Sequence, residues 1–130
     1  MQPLVVRWPG GEHAFRLGLG ELRAIQQNTD CGPEYLRARI DSGLWHVDDL
    51  REVFRNGLIG GGMGHVEALK LVDKAFDTAP AVAFKAPASV ILAAYLYGPP
   101  EDAVGEDIPV GPAPKKRKKT GAGSSAPTTA

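Results

Sequence analysis

Cysteine is almost missing from this chain of 130 residues: Cys31 stands alone. No intramolecular disulfide supports the fold, and a reducing compartment is compatible with that count. No stretch reaches the roughly 18 to 20 apolar residues that a membrane-spanning helix needs. The start, Met1-Gln2-Pro3-Leu4-Val5-Val6-Arg7-Trp8, lacks the basic and long apolar segments of a signal peptide. The expected compartment is therefore the cytoplasm of the cell that makes the chain. Net charge is also missing, with fifteen basic and fifteen acidic side chains. That balance averages two unlike parts. Lys115, Lys116, Arg117, Lys118 and Lys119 carry five of the basic charges, which leaves ten basic against fifteen acidic residues before them, about five negative charges in excess. An acidic body is a poor surface for phosphate, so attraction to nucleic acid would have to come from the tail.

The apolar content, 43%, and the charged content, 23%, are ordinary for a globular protein. The length suits one domain with a small core. Two short β-prone arms, Leu4 to Trp8 and His13 to Leu17, flank Pro9-Gly10-Gly11-Glu12, which reads as a hairpin turn. In the second arm, alternation places His13, Phe15 and Leu17 on one face. An isolated hairpin is marginal in water, so this face must pack on helices.

Helical spacing predicts those partners. Glu21 to Thr29 carries Leu22 and Ile25, with Gly32 placed to stop it. Pro33 opens a second helix with a stripe of Tyr35, Leu36 and Ile40, ended by Ser42-Gly43. A third runs from Val47 to Leu58, with His46 as N-cap, acids in the first turn, and Leu50, Val53, Phe54 and Leu58 inward. After Gly60-Gly61-Gly62-Met63-Gly64 a fourth covers His65 to Phe76, with Val66, Leu69, Val72 and Phe76 as its stripe. The last covers Ala81 to Tyr97, with Val90, Ile91, Ala94 and Tyr95 buried; Pro87 is placed to divide it. The expected class is α+β and mostly α: an N-terminal hairpin packed on four or five short helices. Residues 1–98 form this domain. Residues 99–130 hold six of the eleven prolines and few large apolar side chains, and are expected to be disordered.

Little in the chain suggests chemistry. Cys31 has no activating base nearby in sequence, and reads as a turn cysteine. His13, His46 and His65 are too dispersed for a metal motif and read as a strand side chain, a cap and a first-turn residue. The glycine run lacks the Lys-Ser/Thr pair of a phosphate loop and follows no predicted strand, so Gly60, Gly61 and Gly62 are expected to form a structural turn. Asp48, Asp49 and Glu52 lie where a helix N-terminus favours acids. The basic run at 115 to 119 reads as a solvated charge cluster or an electrostatic contact with an acidic partner. No cofactor, metal or small-molecule substrate is expected, and no enzymatic activity.

Three stretches carry a family resemblance. Leu17-Gly18-Leu19-Gly20-Glu21-Leu22-Arg23-Ala24-Ile25-Gln26 is similar to the strand-to-helix entry of the tail assembly chaperones of gene transfer agents and long-tailed phages, a group also described as tail tube proteins. Asp48 through Met63, with Val53-Phe54-Arg55-Asn56-Gly57-Leu58-Ile59 and the glycines, resembles that family's central helix and turn. Glu67-Ala68-Leu69 with Leu71-Val72-Asp73-Lys74-Ala75-Phe76 resembles the next helix, followed by an Ala-rich helix ending at Tyr97-Gly98. The likeness spans residues 4 to 106. Gly64-His65 replaces the family's frequent Ser-Pro, which exchanges a side-chain cap for a tolerable glycine N-cap at a loss of about 1 kcal/mol or less.

The resemblance implies an assembly role: keeping the tape measure protein soluble and recruiting tail tube subunits, with no cofactor. An apolar groove would seat an amphipathic helix, with Leu50, Phe54, Leu58, Val72 and Phe76 as candidate partner-binding residues. Such chaperones are often also made in a longer form by ribosomal slippage, and Lys115 to Lys119 implies an adenine-rich message compatible with it. The alternatives are a structural component retained in the virion tail, as tube or tail-end subunit, and a small nucleic-acid-binding protein acting through its basic tail. A chain shortened to end at Gly98 should keep its helical content and thermal midpoint. A midpoint drop above about 5 °C, equivalent to roughly 1 kcal/mol in a small domain, would show that the tail packs on the body.

Overall fold

The computed structural model describes residues 1–100, of which Met1–Pro99 form one compact unit. The elements are β1 (Leu4–Trp8), β2 (Gly11–Phe15), α1 (Leu19–Thr29), α2 (Pro33–Asp41), α3 (Val47–Gly60), α4 (His65–Thr78), a 3₁₀ turn (Ala81–Phe84) and α5 (Lys85–Tyr97). This is the expected hairpin on a helical body. The expected disorder and the basic run, Lys115, Lys116, Arg117, Lys118 and Lys119, fall outside the described residues.

The hairpin is tighter than its sequence suggests. Trp8 pairs directly with Gly11, so only Pro9 and Gly10 form the corner, and Gly11 takes φ 124°, a value that favours glycine. Proline supplies the fixed φ of the first corner position. The second arm ends at Phe15 rather than Leu17, because the Arg16 N–H leaves the ladder and donates to the Gly57 carbonyl on α3 at 3.0 Å. Phe15 and Leu17 are nonetheless buried, as their alternation predicted.

α3 is the central element and packs against α1, α4, α5 and β2. Its start is capped in the reverse sense to expectation: the His46 side chain makes no capping bond, whereas Asp49 accepts from the His46 N–H at 2.7 Å. The same buried carboxylate takes two bonds from Arg39 of α2, at 2.9 and 2.6 Å. That bonding raises the Arg39 pKa above its ordinary value. A bidentate pair of this kind fixes angle as well as distance between two helices. Glu52, one turn on, accepts from Asn28 of α1 at 2.8 Å and from Asn56 at 3.0 Å. Asp49 and Glu52 thus orient helices, whereas Asp48 meets only Arg51 of its own helix at 3.5 Å.

Above α3 lies an aromatic stack. The Trp8 and Phe54 rings are near-parallel with centroids 4.8 Å apart, and Phe15 meets both edge-on. Phe84 presents its edge to Phe54 at 5.6 Å and stacks on Phe76 at 3.9 Å. Phe54 and Phe76 therefore share a core through Phe84, which the 3₁₀ turn inserts between them. The Trp8 indole N–H donates to His13 Nδ1 at 2.8 Å, so the ring is buried without an orphan donor.

Several predicted stripes are rotated. On α4 the buried positions are Ala68, Val72 and Ala75, while Val66 is 67% exposed and Leu69 also faces out. The alanines let α4 lie close to α3, and a close seam has no room for longer side chains. On α2, Leu36 and Ile40 are buried but Tyr35 is 66% exposed. On α5, Ala88, Ile91, Leu92 and Ala94 face inward, whereas Val90 and Tyr95 do not. Asp30, with φ 58°, ends α1, and Gly32 instead caps the start of α2 ahead of Pro33. Pro87 falls in the first turn of α5, where a missing N–H removes no helical bond.

The glycine run works in two ways. Gly62 adopts φ 115° and turns the chain. Gly60 and Gly61 matter for space: a Cβ on either would overlap the backbone carbonyls of Arg16 and Ala14. One turn earlier, a Cβ on Gly57 would press on the Phe15 ring. Gly61→Ala should therefore cost about 1 to 3 kcal/mol by overpacking, read as a lower urea midpoint with unchanged slope. Gly20→Ala, in open space on α1, should be neutral or stabilising by up to about 1 kcal/mol. Equal effects at the two sites would contradict the close seam. Phe54→Ala, at the centre of the stack, should cost about 3 to 5 kcal/mol.

Candidate interaction surface

The residues expected to bind a partner are mostly interior. Leu50, Phe54, Leu58 and Val72 are buried, and Phe76 is half-buried with one ring face covered by Phe84. Their stripes are apolar because they build the core between α3 and its neighbours. A partner could reach the first four only by opening the domain, so they do not form a surface groove.

The glycine run offers no phosphate cradle either. Phosphate loops present backbone N–H groups to the anion. Here Gly60 and Gly61 face the carbonyl oxygens of Arg16 and Ala14, which would repel it. Cys31 is buried, with its Sγ 3.4 Å from the Thr29 carbonyl. Among the described residues, no group of three His, Cys, Asp or Glu side chains is placed to hold a metal. Also among them, no helix is long and apolar enough to cross a membrane. A depression between the hairpin start and α5, lined by Leu4, Leu17, Ile91 and Tyr95, has room for about one water, too little to seat a substrate. The described residues hold ten basic and eleven acidic side chains, one negative charge in excess, and so no surplus of cations for a phosphate backbone.

What remains is exposed apolar surface: Val5, Leu19, Tyr35, Val47, Val66 and Leu69 are scattered over β1 and α1 to α4, and a stripe runs along α5. This helix, Lys-Ala-Pro-Ala-Ser-Val-Ile-Leu-Ala-Ala-Tyr-Leu-Tyr, is apolar around nearly its whole circumference. A helix of that composition is normally enclosed on all sides. Here one side packs on α2, α3 and β1. The opposite side carries Ala86, Val90, Ala93 and Tyr97, spaced i, i+4, i+7 and i+11, which falls along one helical stripe. Val90 is 43% and Tyr97 67% exposed, Ala86 is exposed and Ala93 half-buried.

Contacts with α2 flank the stripe. Arg37 of α2 donates to the Ser89 hydroxyl at 2.9 Å, and Ser89 donates to Asp41 at 3.3 Å. The Arg37 guanidinium also lies over the Tyr97 ring, 5.8 Å from its centre, which braces the end of α5 against α2. Ala86 and Ala93 alternate with Val90 and Tyr97 along the stripe, so its ridge is low at every second position and a second helix can approach closely. Sequence reading missed this stripe because it assigned Val90 and Tyr95 to the buried face. The available signal was the even apolarity of α5, which leaves an uncovered side whichever way the helix is rotated.

Neither a curated protein nor a solved structure matches the chain. A family model does, over residues 3–98. The match takes in the hairpin, the glycine seam and all of α5, and covers 96 of the 130 residues, so the chain belongs to the family described as phage tail tube protein, GTA-gp10.

Proposed function

We propose that this tail protein acts as an assembly chaperone, docking an amphipathic helix of the tape measure protein on the outer stripe of α5 while tail tube subunits are recruited. The observation that carries the reading is that stripe, apolar and, among the described residues, uncovered on the outer side of α5. Four anchors at helical spacing match the periodicity of an amphipathic partner helix. The role requires no catalytic group and no cofactor. It would be carried out in the bacterial or phage-infected cell that assembles the particle.

Membership of the tail family supports a tail-related role and also favours a second reading, in which the chain stays in the particle as a tube or tail-end subunit. Particle composition separates the two. A chaperone leaves before completion and is absent from purified particles; a subunit is present in a fixed copy number.

Co-expression with the tape measure protein tests the docking directly. The wild-type chain should co-purify with it and raise its soluble fraction. Ala93→Glu places a charge in the middle of the stripe, and should reduce capture at least tenfold while changing stability by less than about 1 kcal/mol, since from half-buried Ala93 a long side chain can carry its carboxylate into water. Unchanged capture by Ala93→Glu would remove α5 from the account. A tape measure protein equally soluble alone, with the chain abundant in particles, would replace the chaperone reading with the structural one.

A further inference from the structure

The hairpin has one closed edge and one open edge. On β2, the Ala14 carbonyl abuts Gly61 and the Arg16 N–H donates to Gly57, so the even-numbered residues of that strand direct their backbone groups toward α3. In an antiparallel ladder, residues facing away on one strand stand opposite residues facing away on the other. Val5 and Arg7, paired with Ala14 and Glu12, therefore direct their N–H and C=O groups away from the hairpin. Among the described residues, no backbone bond from outside the hairpin reaches β1. The strand has no lysine, no internal proline and no bulge, and Val5 is 63% exposed. Its one charge, Arg7, stands across the ladder from Glu12.

We infer that β1 pairs with β1 of a second copy of this chain, joining two hairpins into a four-stranded antiparallel sheet. The occupant follows from the topology. α3 abuts β2 at Ala14 and just beyond it at Arg16, so among the described residues β1 is the edge that either copy can offer along its full length, and a two-fold axis then makes the contact self-complementary. The register follows from the residues. With Val6 on the axis, Val5 stands opposite Arg7 of the partner subunit twice, and the outward groups make four N–H···O=C bonds. Sliding two residues one way sets Arg7 against Arg7 of the partner subunit. Sliding the other way sets it against Pro3 of the partner subunit, which has no N–H. Only the Val6-centred register uses every outward group without a like-charge pair. The inference is independent of the tape measure reading, because it concerns the chain alone.

Sedimentation equilibrium of the full chain over a wide concentration range, combined with hydrogen exchange, tests it. The expected result is a reversible dimer in which the Val5 and Arg7 amides are slow at high concentration and fast on dilution. The Val6 amide, which belongs to the hairpin itself, should stay slow at both. Val5→Pro removes an outward N–H that the hairpin does not use and should raise the dimer dissociation constant at least tenfold. If that variant misfolds by circular dichroism, the exchange pattern of the wild-type chain decides. A chain that stays monomeric with fast Val5 and Arg7 amides overturns the inference. So does a dimer whose edge amides exchange freely. Protection that arises only on adding a different tail protein also overturns it, and assigns the edge to that partner.

Discussion

The closeness of α3 to the end of β2 is the constraint on which the rest of the domain depends. Backbone meets backbone there: Gly60 and Gly61 touch the carbonyls of Arg16 and Ala14, and the Gly57 carbonyl takes the Arg16 N–H. No side chain fits in that seam. With the strand pressed to the helix, Phe15 drops beside Gly57 and the Trp8 ring comes to lie flat on Phe54. A marginal two-stranded ribbon becomes a lid on the core. The glycine run resembles a ligand loop in sequence, yet its work is to bring two pieces of backbone into contact.

A second consequence concerns where large apolar side chains go. Alanines at 68 and 75 line the inner side of α4, and Ala88 and Ala94 that of α5. Small residues at helix seams allow tight approach, and longer neighbours such as Val66, Val90 and Tyr97 are left outside. Exposed single residues are normal on any protein. Four in register along α5, beside the Arg37–Ser89 bond, form a continuous stripe, and on the proposed function it is this stripe that would meet a partner.

Much of this was legible from residues alone. Pro9-Gly10-Gly11-Glu12 marked the hairpin turn, two residues wider than the observed corner, Pro33 the start of α2, and Leu22, Ile25, Leu36, Ile40, Leu50, Val53, Phe54 and Leu58 the core, because their spacing and apolarity agree. The family resemblance, read from the glycine centre and its flanking helices, holds over residues 3–98. The misassigned stripes of α4 and α5 share one cause. Reading by side-chain size treats Val66, Leu69, Val90 and Tyr95 as core and alanines as neutral, whereas close helix seams invert that preference. The same bias offered interior residues of α3 and α4 as candidate partner contacts and hid the α5 stripe. The Gly57 to Arg16 bond, which ends β2 early, joins residues 41 apart in the chain and has no local signature.

The central claim is that this tail protein binds a helical partner through apolar area and not through charge. Titration calorimetry with the tape measure protein's helical segment, at several temperatures and two salt concentrations, tests it most directly. Burial of the α5 stripe predicts a negative heat-capacity change and an affinity that varies little with salt. An affinity that falls steeply with salt and shows no heat-capacity change would contradict the account and assign binding to the basic run at 115 to 119.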